Sequence, residues 1–317
     1  SVTDRCNFRC RYCMPREEFG KGHDFLPKNE ILTYEEIRIF VKACKPLGLR
    51  KVRITGGEPL LRQDIHHLVR QLSSMEMEVA LTTNGSLLEN NAANLAQSGL
   101  SRVTISLDAI DQEVHSKITD SKVSVTDILD GISAAIRYEL GPVKINCVVQ
   151  RGVNEHQIPK LVRKFRGTGV IVRFIEFMDV GSTNGWTQGQ VVPTSEIIDF
   201  LSSEFDLIPL ARKSASDVAS RWAHSDDSGE IGFISSVSQP FCGDCVRARL
   251  SSDGKFFTCL FTTTGHDMSA LIKSGGKTEV LTQSIEEVWS ARKDRYSEER
   301  TSVAISLPRV EMSYIGG

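Results

Sequence analysis

Five stretches of near-continuous apolar and β-branched residues, separated by helical patterns, limit what this chain can fold into more than any other feature. They are KVRIT (51–55), EVALTT (78–83), RVTISLD (102–108), VKINCVV (143–149) and VIVRFIEF (170–177). Strands that are apolar on both faces belong to parallel sheets covered by helices. Between them, Thr33-Tyr34-Glu35-Glu36 reads as a capping box ahead of Ile37, Phe40 and Val41 on one helical face. Asp64 is placed to cap a helix carrying Ile65, Leu68, Val69 and Leu72. Val125, Ile128, Leu129, Ile132 and Ile136 mark another. With Ser1-Val2-Thr3 read as the end of a further strand, six strands alternate with helices, which predicts an α/β unit. The pattern leaves open whether the sheet is doubly wound or a partial barrel.

Alternation stops after Met178. Residues 181–190 are Gly-rich and polar, and a helix is expected from Pro193 through Ile197, Ile198 and Leu201. Residues 211–217 and 224–230 read as exposed loops. VRARLSSDGKFFTCL then places Asp253-Gly254 between two strand-like runs, a hairpin signal. The chain is therefore expected to divide into a core over 1–180 and a smaller β-rich region over 181–317. A net charge of −2 argues against wholesale nucleic-acid binding. No apolar run approaches the roughly 18 residues of a membrane span. The chain opens on SVTDRC without Met, so upstream residues are expected, a targeting segment among the possibilities.

Six of the eight cysteines fall in two groups of three, which points to metal binding in a reducing compartment. Cys6, Cys10 and Cys13 form CxxxCxxC within CNFRCRYC. Structural zinc wants four protein ligands and iron–sulfur clusters usually take four thiolates, so three thiols suit a four-iron cluster with one open iron. The alternatives are a Cys3His zinc site completed by His23 and catalytic cysteine chemistry. Cys242 and Cys245 form CxxC, and Cys259 follows after thirteen residues on the returning arm of the hairpin. That group is either a second open cluster or a zinc site completed by His266. Arg247 and Arg249, two apart, point to one face of a strand and would repel unless an anion lies between them; two solvated arginines are the plainer alternative. Cys44 and Cys147 stand alone and read as buried packing residues.

Gly56 and Gly57 in ITGGEPLLR suit close approach of the backbone to a ligand, and Glu58 suits an ammonium group. No dinucleotide or P-loop fingerprint is present. Ser106 near one strand end, Met178 just past another and TTNG (82–85) lie where ligands gather in parallel α/β folds.

CNFRCRYC followed by Met14, with GGEP at 56–59, resembles the radical S-adenosylmethionine (SAM) superfamily. FCGDCVRARLSSDGKFFTCL and the terminal Gly316-Gly317 resemble, within it, the GTP 3′,8-cyclase family of molybdenum cofactor biosynthesis. The resemblance covers essentially the whole chain and implies an incomplete (β/α)6 barrel whose open side the C-terminal region covers. It implies that Cys6, Cys10 and Cys13 bind a first [4Fe–4S] cluster, that Tyr12, Gly57, Ser106 and Met178 contact SAM, and that Cys242, Cys245 and Cys259 bind a second [4Fe–4S] cluster facing guanine. Arg53, Thr82, Lys144, Arg247 and Arg249 match GTP-contact positions. The family also has a GTP-binding arginine just before SVTD, outside this sequence.

The implied reaction is reductive cleavage of SAM to a 5′-deoxyadenosyl radical. The radical takes the ribose 3′ hydrogen of GTP, and the sugar radical closes onto C8 to give 3′,8-cyclo-7,8-dihydro-GTP. A reductase or flavodoxin-type electron donor and a downstream cyclic pyranopterin monophosphate synthase are the implied partners, with a homodimer as the candidate assembly and no nucleic acid or membrane. The implied location is the cytoplasm of a bacterium or the mitochondrion of a eukaryote. Two other readings stay open: a radical SAM enzyme acting on a peptide, and a non-catalytic zinc or iron–sulfur binding module.

Overall fold

A computed structural model describes residues 1–214, 216–275, 278–300 and 309–316. The five apolar stretches form β1 (Lys51–Ile54), β2 (Glu78–Thr83), β3 (Arg102–Ser106), β4 (Lys144–Val149) and β5 (Ile171–Glu176), all paired in parallel and in chain order. Three further strands extend the sheet: β6 (Leu207–Leu210), β7 (Ser220–His224) and β8 (Glu230–Ile234). β8 adds parallel to β5, and β7 and β6 follow antiparallel, giving the order β1-β2-β3-β4-β5-β8-β7-β6.

The sixth parallel strand therefore comes from β8, not from the N-terminus. Ser1–Thr3 forms no strand; it lies along the loop after β1, where the Val2 amide donates to Thr55 O at 2.8 Å. The signature of β8 is weakened by Gly232, whose missing side chain leaves room for Arg173 on β5: a Cβ there would meet Arg173 Cγ at 2.9 Å.

Helices connect the parallel strands: α1 (Tyr34–Cys44), α2 (Ile65–Ser73), α3 (Leu88–Gln97), α4 (Gln112–Thr119), α5 (Val125–Arg137) and α6 (Ile158–Phe165). α1 packs on α2, α2 on α3 and α3 on α5. Helices that follow one another in a single layer cover one side of the sheet, as in a barrel wall; a doubly wound sheet would divide them between two faces. Among the described residues no pairing joins β1 to the far edge strand β6, so the wall is open. The fold is the α/β, incomplete-barrel class expected.

The capping box at α1 is realised: Thr33 Oγ1 accepts from the Glu36 amide at 3.1 Å, and Glu36 Oε2 from the Thr33 amide at 2.7 Å. Asp64 differs from expectation. It sits in the left-handed region at φ 54° and makes no side-chain cap to α2. Ile136, assigned above to the apolar face of α5, is 45% exposed, because the buried face runs through Gly131, Ala134 and Ala135 and leaves it at the edge.

Beyond β5 come α7 (Thr194–Ser202), β9 (Arg249–Leu250), β10 (Lys255–Phe257), β11 (His266–Asp267), α8 (Ser269–Lys273), α9 (Thr278–Ser290), α10 (Tyr296–Glu299) and α11 (Met312–Ile315). β9 and β10 form the expected hairpin around Asp253-Gly254. This region packs on α1: Thr282 Oγ1 of α9 donates to Ala43 O at 2.9 Å, and Phe256 of β10 lies 5.7 Å from Phe40, ring centre to ring centre.

Phe233 of β8 is fully buried between Phe174 and Trp222. Phe233→Ala is expected to cost about 3–5 kcal/mol through the cavity it leaves, against about 1 kcal/mol for Thr33→Ala at the α1 cap. Denaturant unfolding measures both, and equal costs would mean that β8 is not part of the core sheet.

Candidate active site

The first cysteine loop is seated on the end of β1 by backbone contact. The Gly57 amide donates to Thr3 O and the Glu58 amide to Arg5 O, each at 2.8 Å. A Cβ at Gly56 (φ 156°) would meet Thr3 O at 2.5 Å, and one at Gly57 would strike Arg5 O. The glycines thus admit the chain's own residues 3–5. Glu58 differs from the ammonium-binding role expected of it. It is 0% exposed and accepts from Leu60 N (2.9 Å), Thr83 Oγ1 (2.8 Å) and Asn84 N (2.7 Å), so it ties β1 to β2 and is not open to an ammonium group. Burial pushes its carboxyl up to about 7 despite these donors.

Asn84 in TTNG donates to Asn7 Oδ1 at 2.8 Å, and the amides of Arg9 and Arg11 donate to Thr119 O and Ile118 O at the end of α4. These bonds fix the loop between β1, β2 and α4. Cys6, Cys10 and Cys13 are half-buried and unpaired. Burial raises all three thiols, Cys6 to about 11, and the neighbouring cysteines raise Cys10 and Cys13 further. Mutual repulsion of three would-be thiolates is relieved by a cationic centre among them, so the donor set fits an iron–sulfur cluster. His23 is exposed and packed between Phe19 and Phe25, ring centres 4.6 and 4.7 Å away.

Tyr12 donates to Asp108 Oδ2 at 2.8 Å. Asp108, absent from the sequence reading, is 3% exposed and also accepts from the Val148 amide at 2.8 Å, so β3 and β4 jointly orient the tyrosine. Its signal was a lone acid after an apolar strand. Ser106 ends β3 opposite Asn146 of β4, and Met178 follows β5, half-buried.

One face of the sheet carries an excess of cations. Arg53 Nη1 donates to Thr82 Oγ1 at 2.8 Å and Thr104 Oγ1 at 3.2 Å. Thr104 is in register with Lys144, and Asn146 with Arg173. Burial, then the charges of Arg173 and Arg102, bring Lys144 down to about 8; burial, then Arg53 and Arg102, bring Arg173 down to about 10. Nε of Arg173 and Oδ1 of Asn146 are buried without a partner. Closely spaced cations with an orphaned donor make a cradle for a polyanion. Arg173 and Thr104 were missed in the sequence, although a charge inside the apolar run VIVRFIEF was the available sign.

The second triad lies on the hairpin side, linked to the first by the N-terminal segment, which bonds Leu250 O through Ser1 N and Thr55 O through Val2 N. Arg247 donates to Cys245 Sγ from Nε (3.3 Å) and Nη2 (3.2 Å). Burial opposes ionisation of Cys245, but the Arg247 charge and bonds from Arg247 and Arg292 bring the thiol down to about 7. Burial, then Arg247, lowers Arg249 to about 10, with Cys259 and Cys245 acting the other way. The two arginines and the cysteines therefore form one electrostatic group, again fitting a cluster beside an anion. His266 is exposed on β11, in register with Phe256 of β10.

The C-terminal tail closes over this region. Glu311 accepts from the Ser182 amide (2.9 Å) and Thr183 Oγ1 (3.1 Å), and Tyr314 donates to Asp253 at 2.6 Å. Gly316 is buried against Thr55, where a Cβ would strike Cγ2; Gly317 lies outside the described residues. A cavity of about 630 Å³ opens between this tail and the segment after the cysteine loop, lined by Glu18, Phe19, Phe25, Thr183, Glu311 and Tyr314 among others.

Residues 1–165 match the Radical SAM superfamily, and residues 170–298 match Molybdenum Cofactor Synthesis C. A GTP 3′,8-cyclase of Staphylococcus epidermidis is 46% identical over 323 residues, spanning 100% of this chain and 95% of the relative. One of Acidothermus cellulolyticus is 44% identical over 344 residues with the same coverage. The crystal structure of Streptococcus suis SuiB bound to S-adenosylmethionine shares the fold at TM-score 0.61 and 14% identity, over 93% of this chain and 67% of that one. No helix among the described residues is long and apolar enough to cross a membrane. The chain belongs to the radical SAM superfamily and, within it, to the GTP 3′,8-cyclase family.

Proposed function

We propose that the protein is a GTP 3′,8-cyclase acting in molybdenum cofactor biosynthesis, with Cys6, Cys10 and Cys13 holding a first [4Fe–4S] cluster and Cys242, Cys245 and Cys259 a second. The observation that carries this reading is the pairing of two half-buried thiol triads with clustered cations, Arg53, Lys144 and Arg173 on the sheet and Arg247 and Arg249 beside the second triad. When bound, the first cluster and SAM would supply the 5′-deoxyadenosyl radical that takes the 3′ hydrogen of GTP.

The chain's own residues have four tasks. Tyr12, held by Asp108, together with Gly57, Ser106 and Met178, borders SAM. Arg53, Thr82 and Lys144 bind the GTP phosphates, while Arg247 and Arg249 bind GTP next to the second triad and count as catalytic. The tail, whose Gly316 packs against Thr55 at the end of β1, would shield the reacting groups from water. Holding both substrates in one geometry supplies the orientation that ring closure needs. The product would pass to a cyclic pyranopterin monophosphate synthase, and the electron would come from a reductase or flavodoxin-type donor.

Anaerobically reconstituted protein should hold about eight irons, and Cys259→Ala about four. With reductant and SAM, 5′-deoxyadenosine should form in response to GTP; stoichiometric zinc without iron, or turnover with a peptide and none with GTP, would overturn the reading.

Lys144 gives a pH test. It is held at about 8, so its charge is present below that pH and lost above it. KM for GTP should rise about tenfold as pH passes upward through 8, the loss of one charge-assisted hydrogen bond. Lys144→Arg should flatten that rise, and Lys144→Met should give the high KM throughout. A rise that persists in Lys144→Arg would assign the titration to another group.

A further inference from the structure

The second triad is assembled from two separate stretches, the loop at 242–245 and Cys259 beyond β10. The short segment running from the end of α9 into α10 contacts both. Glu298 Oε1 accepts from the Gly243 amide at 3.2 Å, next to Cys242. Arg292 Nη1 donates to Cys245 O at 2.7 Å. Asp294 Oδ2 accepts from Thr258 Oγ1 at 2.5 Å, next to Cys259.

The three side chains are themselves braced. Arg292 lies 3.5 Å from Asp294 and over the Trp289 ring at 5.0 Å, with its side chain only 13% exposed, and Arg295 holds Glu298 at 2.5 Å. At its other end the segment is latched to the loop after β5: Tyr296 donates to Asp179 Oδ2 at 2.5 Å and Arg300 to Oδ1 at 3.0 Å. Asp179 adjoins Met178. Phe261, two residues past Cys259, stacks on Tyr296 at 4.8 Å.

We infer that Arg292, Asp294 and Glu298 are positioning residues for the second cluster, a cradle that presets the spacing of Cys242, Cys245 and Cys259 before metal enters. Partners of this kind orient the ligands and tune the metal, and their loss typically costs about 10- to 100-fold in metal affinity or activity. Arg292 has a second effect. Its charge, added to that of Arg247 on Cys245, favours the more negative, reduced form of the cluster and so raises its reduction potential.

This inference rests on the second triad holding an iron–sulfur cluster, as proposed above. The test uses the reconstituted full chain and its Arg292→Gln, Arg292→Lys and Asp294→Asn variants. SAM perturbs the electron paramagnetic resonance signal of the first cluster, which separates the two signals. The cradle predicts that Asp294→Asn and Arg292→Gln lose the SAM-insensitive cluster to a chelator about 10- to 100-fold faster, while the SAM-responsive cluster keeps its rate. It also predicts that Arg292→Gln shifts the midpoint potential of the SAM-insensitive cluster to more negative values and that Arg292→Lys restores it. Parental rates and potentials in both variants would overturn the cradle, as would equal loss of both clusters together with a lowered melting temperature. A parent protein holding only the SAM-responsive cluster would instead overturn the second-cluster reading itself, and the cradle with it.

Discussion

Everything at the proposed site depends on the close passage of residues 2–5 across the backbone of residues 55–58. That passage is possible only because Gly56 and Gly57 carry no side chains, and it is sealed by the amides of Gly57 and Glu58. Through it the first cysteine loop is fastened to the end of β1. Glu58 then reaches into β2, and Asn84 reaches back to Asn7, so the loop is tied to two strands of the sheet. A buried carboxylate costs stability unless its oxygens are occupied, and here three donors occupy them.

The other controlling term is charge. Arg53, Lys144 and Arg173 are drawn onto one sheet face with few acids to answer them, and Glu78 is shared by Lys51 and Arg102 at its edge. Such a face works against the fold when empty and in favour of it when an anion binds, because any ligand specific for the folded state stabilises it by mass action. Gly232 shows the packing side of this arrangement, since β8 leaves room for the stem of Arg173.

Asp179 unites the two halves of the chain. It is 4% exposed and meets Tyr296, Arg300 and Arg309, so the loop that carries Met178 is bound to the segment that braces the second triad. Burial pushes its carboxyl up, but the Tyr296 hydroxyl and then the two arginines hold it below the usual range. A buried ion network of this kind fixes geometry more than it adds stability. Here the geometry is that of the loop carrying Met178 against the segment running into α10.

Sequence by itself determined the parts whose chemistry is local: five parallel strands from their apolar runs, the α1 cap from Thr33 and Glu36, and the hairpin from Asp253-Gly254. Folding decided what depends on residues far apart in the chain. It made β8 the sixth parallel strand, made Gly56, Gly57 and Glu58 the seat of the cysteine loop, packed His23 between aromatic rings and left His266 exposed. It also supplied Asp108, Arg173 and Arg292, which no motif marked. The reason is physical: periodicity and spacing record what a residue does for its own element, whereas burial, charge and close approach are set by neighbours that only the tertiary structure brings near.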